Sequence, residues 1–150
     1  MTGYRYSVGA FPCYVISDGT RIYPAKAFFA NAPASELAAA LARHSLSDEL
    51  VTPFNALLVD TGVRRVLIDT GTGRVVETAG KLPDSLHAAG FAPQDVDTVV
   101  LTHGHADHIG GALTRQHQPA FPNADYLLTR IEWDYWMAEE AALRVGESRL

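Results

Sequence analysis

Cysteine is nearly absent. Cys13 stands alone among 150 residues, which excludes an internal disulfide and any zinc cluster built from several thiolates. Long apolar runs are missing too, and no window approaches the roughly 18 consecutive apolar residues of a membrane-spanning helix. The first ten residues lack a charged start followed by an apolar stretch, so no secretory signal is expected. Lysine and arginine form no run, and the net charge is −5. A duplex nucleic acid therefore finds no electrostatic footing. Glycine and proline, at 12 and 8 residues, are too few for a collagen-like or low-complexity chain. Charged residues reach only 19% against 47% apolar, which is the reverse of a disordered composition. A globular chain of about one domain remains. It is expected to be cytoplasmic, with neither membrane nor nucleic acid as a partner.

The apolar and β-branched runs give an α/β reading. Residues 4–8 and 11–16 read as strands. Ser17, Asp18, Gly19 and Thr20 supply hairpin chemistry, with residues 21–23 as the returning strand. Ser35 is a candidate N-cap for a helix running to about His44. Residues 55–60 and 65–69 are apolar runs joined by a turn at 61–64, and their lack of strict alternation predicts burial on both faces. A short helix over 83–89 ends at Gly90. Residues 97–102 form another buried strand, and a helix is expected from Gly110 to Thr114. A last strand covers 124–128, after which Thr129 can cap a helix carrying Ile131, Trp133, Trp136 and Met137. Strands alternating with helices predict a mixed sheet.

The strongest chemical signal is the segment His103, Gly104, His105, Ala106, Asp107, His108, directly after a buried strand. In extended chain, residues i and i+2 point the same way, so His103 and His105 can reach one metal ion. Asp107 and His108 follow where the chain must turn, and they can address a second ion. Imidazole and carboxylate suit zinc foremost, with manganese, iron or cobalt as alternatives. Two ions sharing a water would generate a hydroxide nucleophile near neutral pH and polarise the oxygen under attack.

His-x-His-x-Asp-His after an apolar strand resembles the metal motif of the metallo-β-lactamase-fold hydrolases. The strand end Val66, Leu67, Ile68, Asp69, Thr70, Gly71 and the stretch Gly90 to His103 resemble the same family. Residues 16–20, 31–33 and Phe121, Pro122, Asn123, Ala124 are similar to its methyl parathion hydrolase and lactonase-like members. The resemblance implies a four-layer αββα architecture in which residues 1–150 form the N-terminal half. It implies that His103 and His105 hold the first of two divalent ions, and that Asp107 and His108 hold the second. Asp107 would also orient or deprotonate the shared water. Asp69 would support the metal loop without touching metal; an aspartate that merely stops a strand is the alternative. Trp136 aligns with an aromatic lining the substrate pocket, although Trp133, Tyr135, Trp136 and Met137 also read as the apolar face of a core helix.

A complete site in that family takes a third histidine, a bridging aspartate and a final histidine from later in the chain. His117 lies across a predicted helix and is a poor substitute; it and His87 read as solvated, and His44 as a cation suited to a helix C-terminus. The resemblance thus implies a metal-dependent hydrolase of a small ester-like substrate, a lactone or an organophosphate. The alternative is an inactive N-terminal half that self-associates or awaits a complementing C-terminal half. A remote third reading pairs Asp60 and Asp69, each in an Asp-Thr-Gly triplet, as an aspartic-protease-like dyad. Turn chemistry explains Asp60 more simply.

Overall fold

A computed structural model describes residues 4–138. Its frame is one six-stranded mixed sheet in which spatial order follows chain order, β1 to β6. The strands are β1 (Tyr4–Val8), β2 (Phe11–Pro24), β3 (Glu49–Asp60), β4 (Arg65–Ile68), β5 (Thr98–Leu101) and β6 (Asp125–Leu128). The first four pair antiparallel, whereas β4 with β5 and β5 with β6 are parallel. The helices are α1 (Ala34–Arg43), α2 (Leu82–Ala88), α3 (Ala106–Ile109) and α4 (Arg130–Met137). The mixed α/β class expected from the sequence is the one observed. Among the described residues, no helix is long and apolar enough to cross a membrane.

Register explains where the core sits. Ile16 pairs with Ala56, Leu58 with Leu67, and Leu67 with Val99, so these side chains share one face. Leu82 and Leu86 of α2, with Val96 and Phe121, complete a buried cluster on that face. The opposite face carries Val15, Leu57, Val59, Val66, Ile68 and Val100, all half-buried, and Leu127, which is exposed. Cys13 and Thr98 are buried on that opposite face as well, so the burial on both faces expected from the unbroken apolar runs is full on one face and partial on the other among the described residues. Cys13 lies buried in β2, its thiol directed at the Phe11 carbonyl.

Several local expectations are corrected. Residues 17–20 form no hairpin; β2 runs straight through them with a bulge between Ser17 and Gly19. The reason is the Asp18 side chain, which is fully buried. Its Oδ2 accepts from the amide and hydroxyl of Thr72, at 2.8 and 3.0 Å, and its Oδ1 from the Leu82 amide at 3.0 Å. Gly19, with φ of 127°, absorbs the extra residue. The N-cap of α1 is Pro33 rather than Ser35, which lies inside the helix. The helix expected from Gly110 is displaced upstream to the single turn of α3. Gly110 and Gly111 instead press against the backbone of Thr72 and Thr70, where a Cβ would collide. Finally, α4 buries no residue. Trp133 is 54% and Met137 63% exposed, so the core-helix reading of this aromatic cluster fails.

Candidate metal centre

The parallel strands β4 and β5 end side by side, and the chain leaving β5 is the histidine segment. Asp69 follows β4 directly and adopts a left-handed φ of 61°, unusual for a side chain with a Cβ. Its amide donates to the Val100 carbonyl, and the next amide, of Thr70, donates to the His108 carbonyl. These bonds turn the Asp69 carboxylate towards β5. There it accepts from the Thr102 amide at 2.8 Å and from the Thr102 hydroxyl. It also faces His108 Nδ1 at 2.8 Å. A carboxylate only accepts, so the shared proton belongs to His108 Nδ1, the tautomer that in a neutral ring leaves the lone pair on Nε2.

Three imidazoles gather above this support. The His103 ring lies 3.9 Å from that of His108 and 4.7 Å from that of His105, between centroids. Asp107 Oδ2 is 3.5 Å from His108 Nε2. Burial, then the neighbouring His108 and His105, hold the His103 pKa below its ordinary value of 6.5. That shift keeps a nitrogen lone pair free near neutral pH, as a ligand requires. His103 thus lies between the other two rings, with Asp107 beside His108. Among the described residues, no group of three or more such side chains is disposed around one ion. The donor chemistry of imidazole and carboxylate fits divalent transition metals.

The remaining expectations separate cleanly. His44 is exposed beyond α1 and His87 is exposed on α2. His117 is exposed in a turn, with φ of 56°. It lines a cavity of about 750 Å³ that includes none of the four motif residues. Asp60 sits at the far end of the β3–β4 hairpin, accepting from the Gly62 amide and pairing with Arg65 at 3.4 Å. Asp60 pairs with Arg65 in the register, and Asp69 lies beyond the opposite end of β4. Four residues of strand hold the two carboxylates roughly 13 Å apart along the chain, so they form no dyad.

Trp136 lies edge-on to His105, with 6.0 Å between ring centroids. Its indole N–H donates to Glu132 Oε2 at 2.9 Å, and the same oxygen accepts from the Gly104 amide at 3.0 Å. Glu132 and Asp18 are the two residues the sequence reading passed over. A signal existed for each. Thr129 and Glu132 have capping-box spacing, and the Thr129 hydroxyl does accept from the Glu132 amide. Asp18 lay inside a segment already marked by family resemblance.

A family profile described as the metallo-beta-lactamase superfamily matches residues 51–145. The N-acyl homoserine lactonase AttM of Agrobacterium fabrum is 44% identical over 52 residues, covering 35% of this chain and 18% of that protein. Among solved structures, AidC is described as a dizinc quorum-quenching lactonase in complex with a product. It superposes with a TM-score of 0.87 at 30% identity, over 97% of this chain and 54% of that one. A hydrolase of the beta lactamase superfamily, AbOPH, gives 0.87 at 28% identity over 99% and 55%. The chain thus spans about half the length of these structures.

Proposed function

Since the chain belongs to the metallo-beta-lactamase superfamily, we propose that it serves in metal-dependent hydrolysis of a small ester-like molecule. A lactone is the first substrate class and an organophosphate triester the second. The observation that carries this reading is the gathering of His103, His105 and His108 beside Asp107, with His108 Nδ1 already engaged by Asp69. The lactonases AidC and AttM among its relatives support the lactone.

In this reading His103 and His105 hold one divalent ion, zinc foremost, and Asp107 and His108 hold a second. Bound ions of this kind supply Lewis acidity, which acidifies water towards neutral pH and polarises an electrophilic carbonyl or phosphoryl group. The chain's own residues do the rest. Asp69 fixes the tautomer and direction of His108, and so decides which nitrogen faces the site. Asp107, with a half-exposed side chain, offers a carboxylate oxygen to orient a water and receive its proton. Trp136, beside His105, walls the site on the α4 side and offers apolar surface to an acyl or aryl group.

The test is hydrolysis of an N-acyl homoserine lactone and of an aryl phosphotriester by the purified chain, before and after chelation. Loss of turnover with EDTA and recovery with zinc or manganese is expected. Turnover indifferent to chelation, or to His105→Ala, overturns the reading. The half-buried sheet face favours a second reading, in which turnover needs further polypeptide from a second copy or a complementing half. Turnover that rises more steeply than linearly with protein concentration would favour it.

A further inference from the structure

Resting on the reading of His103 and His105 as metal donors, we propose that Glu132 is their positioning residue: from the first turn of α4 it grips the Gly104 peptide between them, braced by Trp136. The backbone of the segment is otherwise hydrogen-bonded towards its ends, and the Thr102 hydroxyl lies 3.0 Å from His103 Nδ1. Upstream, Asp69 accepts from the Thr102 amide. Downstream, the His105 carbonyl accepts from the amides of His108 and Ile109. Between these anchors stand the amides of His103, Gly104 and His105, and that of Gly104 donates to Glu132 Oε2 at 3.0 Å.

The brace is equally specific. Glu132 and Trp136 stand four residues apart on α4, which places them on one face of the helix. The indole N–H donates to the same Oε2, so one carboxylate oxygen joins the helix to the loop. The indole also fills the space above Gly104, where any Cβ would collide with it. Hydrogen bonds from amides to an ionised acceptor are shorter and stronger than neutral ones. The Gly104 bond is the main reason the Glu132 carboxyl sits below its ordinary pKa of 4.5, and attraction to His103 and His105 adds to it. The rings of His103 and His105 meet at 72°, and rotation of the Gly104 peptide would change that angle directly.

Cobalt(II) and zinc affinities of the whole chain, measured by competition with a chromophoric chelator, test the assignment. Glu132→Ala should weaken binding about tenfold or more and alter the visible spectrum of the cobalt form. Glu132→Gln, whose Oε1 can accept both hydrogen bonds, should restore most of the affinity. Asp134→Asn, an exposed change on the same helix, should leave it unchanged. Wild-type affinity in Glu132→Ala, alongside lost affinity in His105→Ala, overturns the positioning role. So does a Gln variant as weak as the Ala variant, because charge rather than geometry would then be at work. Wild-type affinity in His105→Ala instead overturns the reading of His105 as a donor. Should Glu132→Ala not fold, Trp136→Phe, which removes the indole N–H, takes its place. Undiminished affinity there overturns the brace.

Discussion

Asp69 Oδ2 lies 2.8 Å from Nδ1 of His108, linking the end of β4 to α3 across 39 positions of sequence. The same carboxylate takes the amide and hydroxyl of Thr102. One side chain thus sets both the start and the finish of the six-residue segment that carries the imidazoles. Its left-handed backbone is what brings the carboxylate within reach of both.

Asp69→Ala should therefore act twice. It leaves the Thr102 amide without its acceptor, at about 1–3 kcal/mol of stability, and it frees the His108 ring, lowering metal affinity about 10–100-fold. Urea unfolding and chelator competition read the two effects separately. A variant with wild-type metal affinity would show that His108 is oriented by something other than Asp69.

The pH dependence follows from His103. Its folded pKa lies below 6.5 through burial first and the neighbouring His108 and His105 second, so the unfolded chain binds the proton more readily. Stability should fall as pH drops through 6.5, and the loss should level off below the folded value. Metal occupancy should fall in the same direction, since imidazole ligands must be unprotonated. Thermal midpoints of the metal-free chain from about pH 8 to about pH 5 should decline less in His103→Gln than in wild type. Parallel declines would contradict the assignment.

Gly104 and Trp136 should be coupled. Gly104 has no left-handed φ, so the backbone itself accepts alanine there, and the atoms nearest an added Cβ are those of the Trp136 indole. Gly104→Ala should cost about 1–3 kcal/mol in the wild-type background and much less in Trp136→Ala. A double-mutant cycle built from unfolding free energies should give a coupling of about 0.5–3 kcal/mol. Strict additivity would place the indole elsewhere.

Asp18→Ala removes the acceptor of two buried amides, those of Thr72 and Leu82. About 1–3 kcal/mol for each orphaned donor is expected, seen as a lower denaturant midpoint. A loss below about 0.5 kcal/mol, typical of surface substitutions, would mean that the bulged strand is held by packing alone.

Legibility in the sequence followed the range of the interactions involved. The β3–β4 hairpin was readable because its turn is closed locally, by Asp60 on the Gly62 amide. The Thr129 cap was readable for the same reason. The histidine segment was readable because its spacing is itself the chemistry. Asp18 and Gly19 misled, since a hairpin turn and a bulge demand the same residues and only Thr72 and Leu82, more than 50 positions away, distinguish them. The α3 boundary misled likewise, because Thr70 and Thr72 decide where Gly110 and Gly111 must lie. Aromatics at helical spacing suggested a core in α4. Most of them face solvent, and Trp136 is spent on bracing the loop.

The sheet's order also governs how the chain assembles during synthesis. Among the described residues every strand lies beside the one made just before it, so each of β2 to β6 can pair with an edge that precedes it in the chain. At roughly 5–20 residues per second of translation, each new edge is on offer before its partner emerges. The histidine segment follows the fifth strand, so Asp69 precedes the first imidazole and its carboxylate closes its bonds only as Thr102 and then His108 follow.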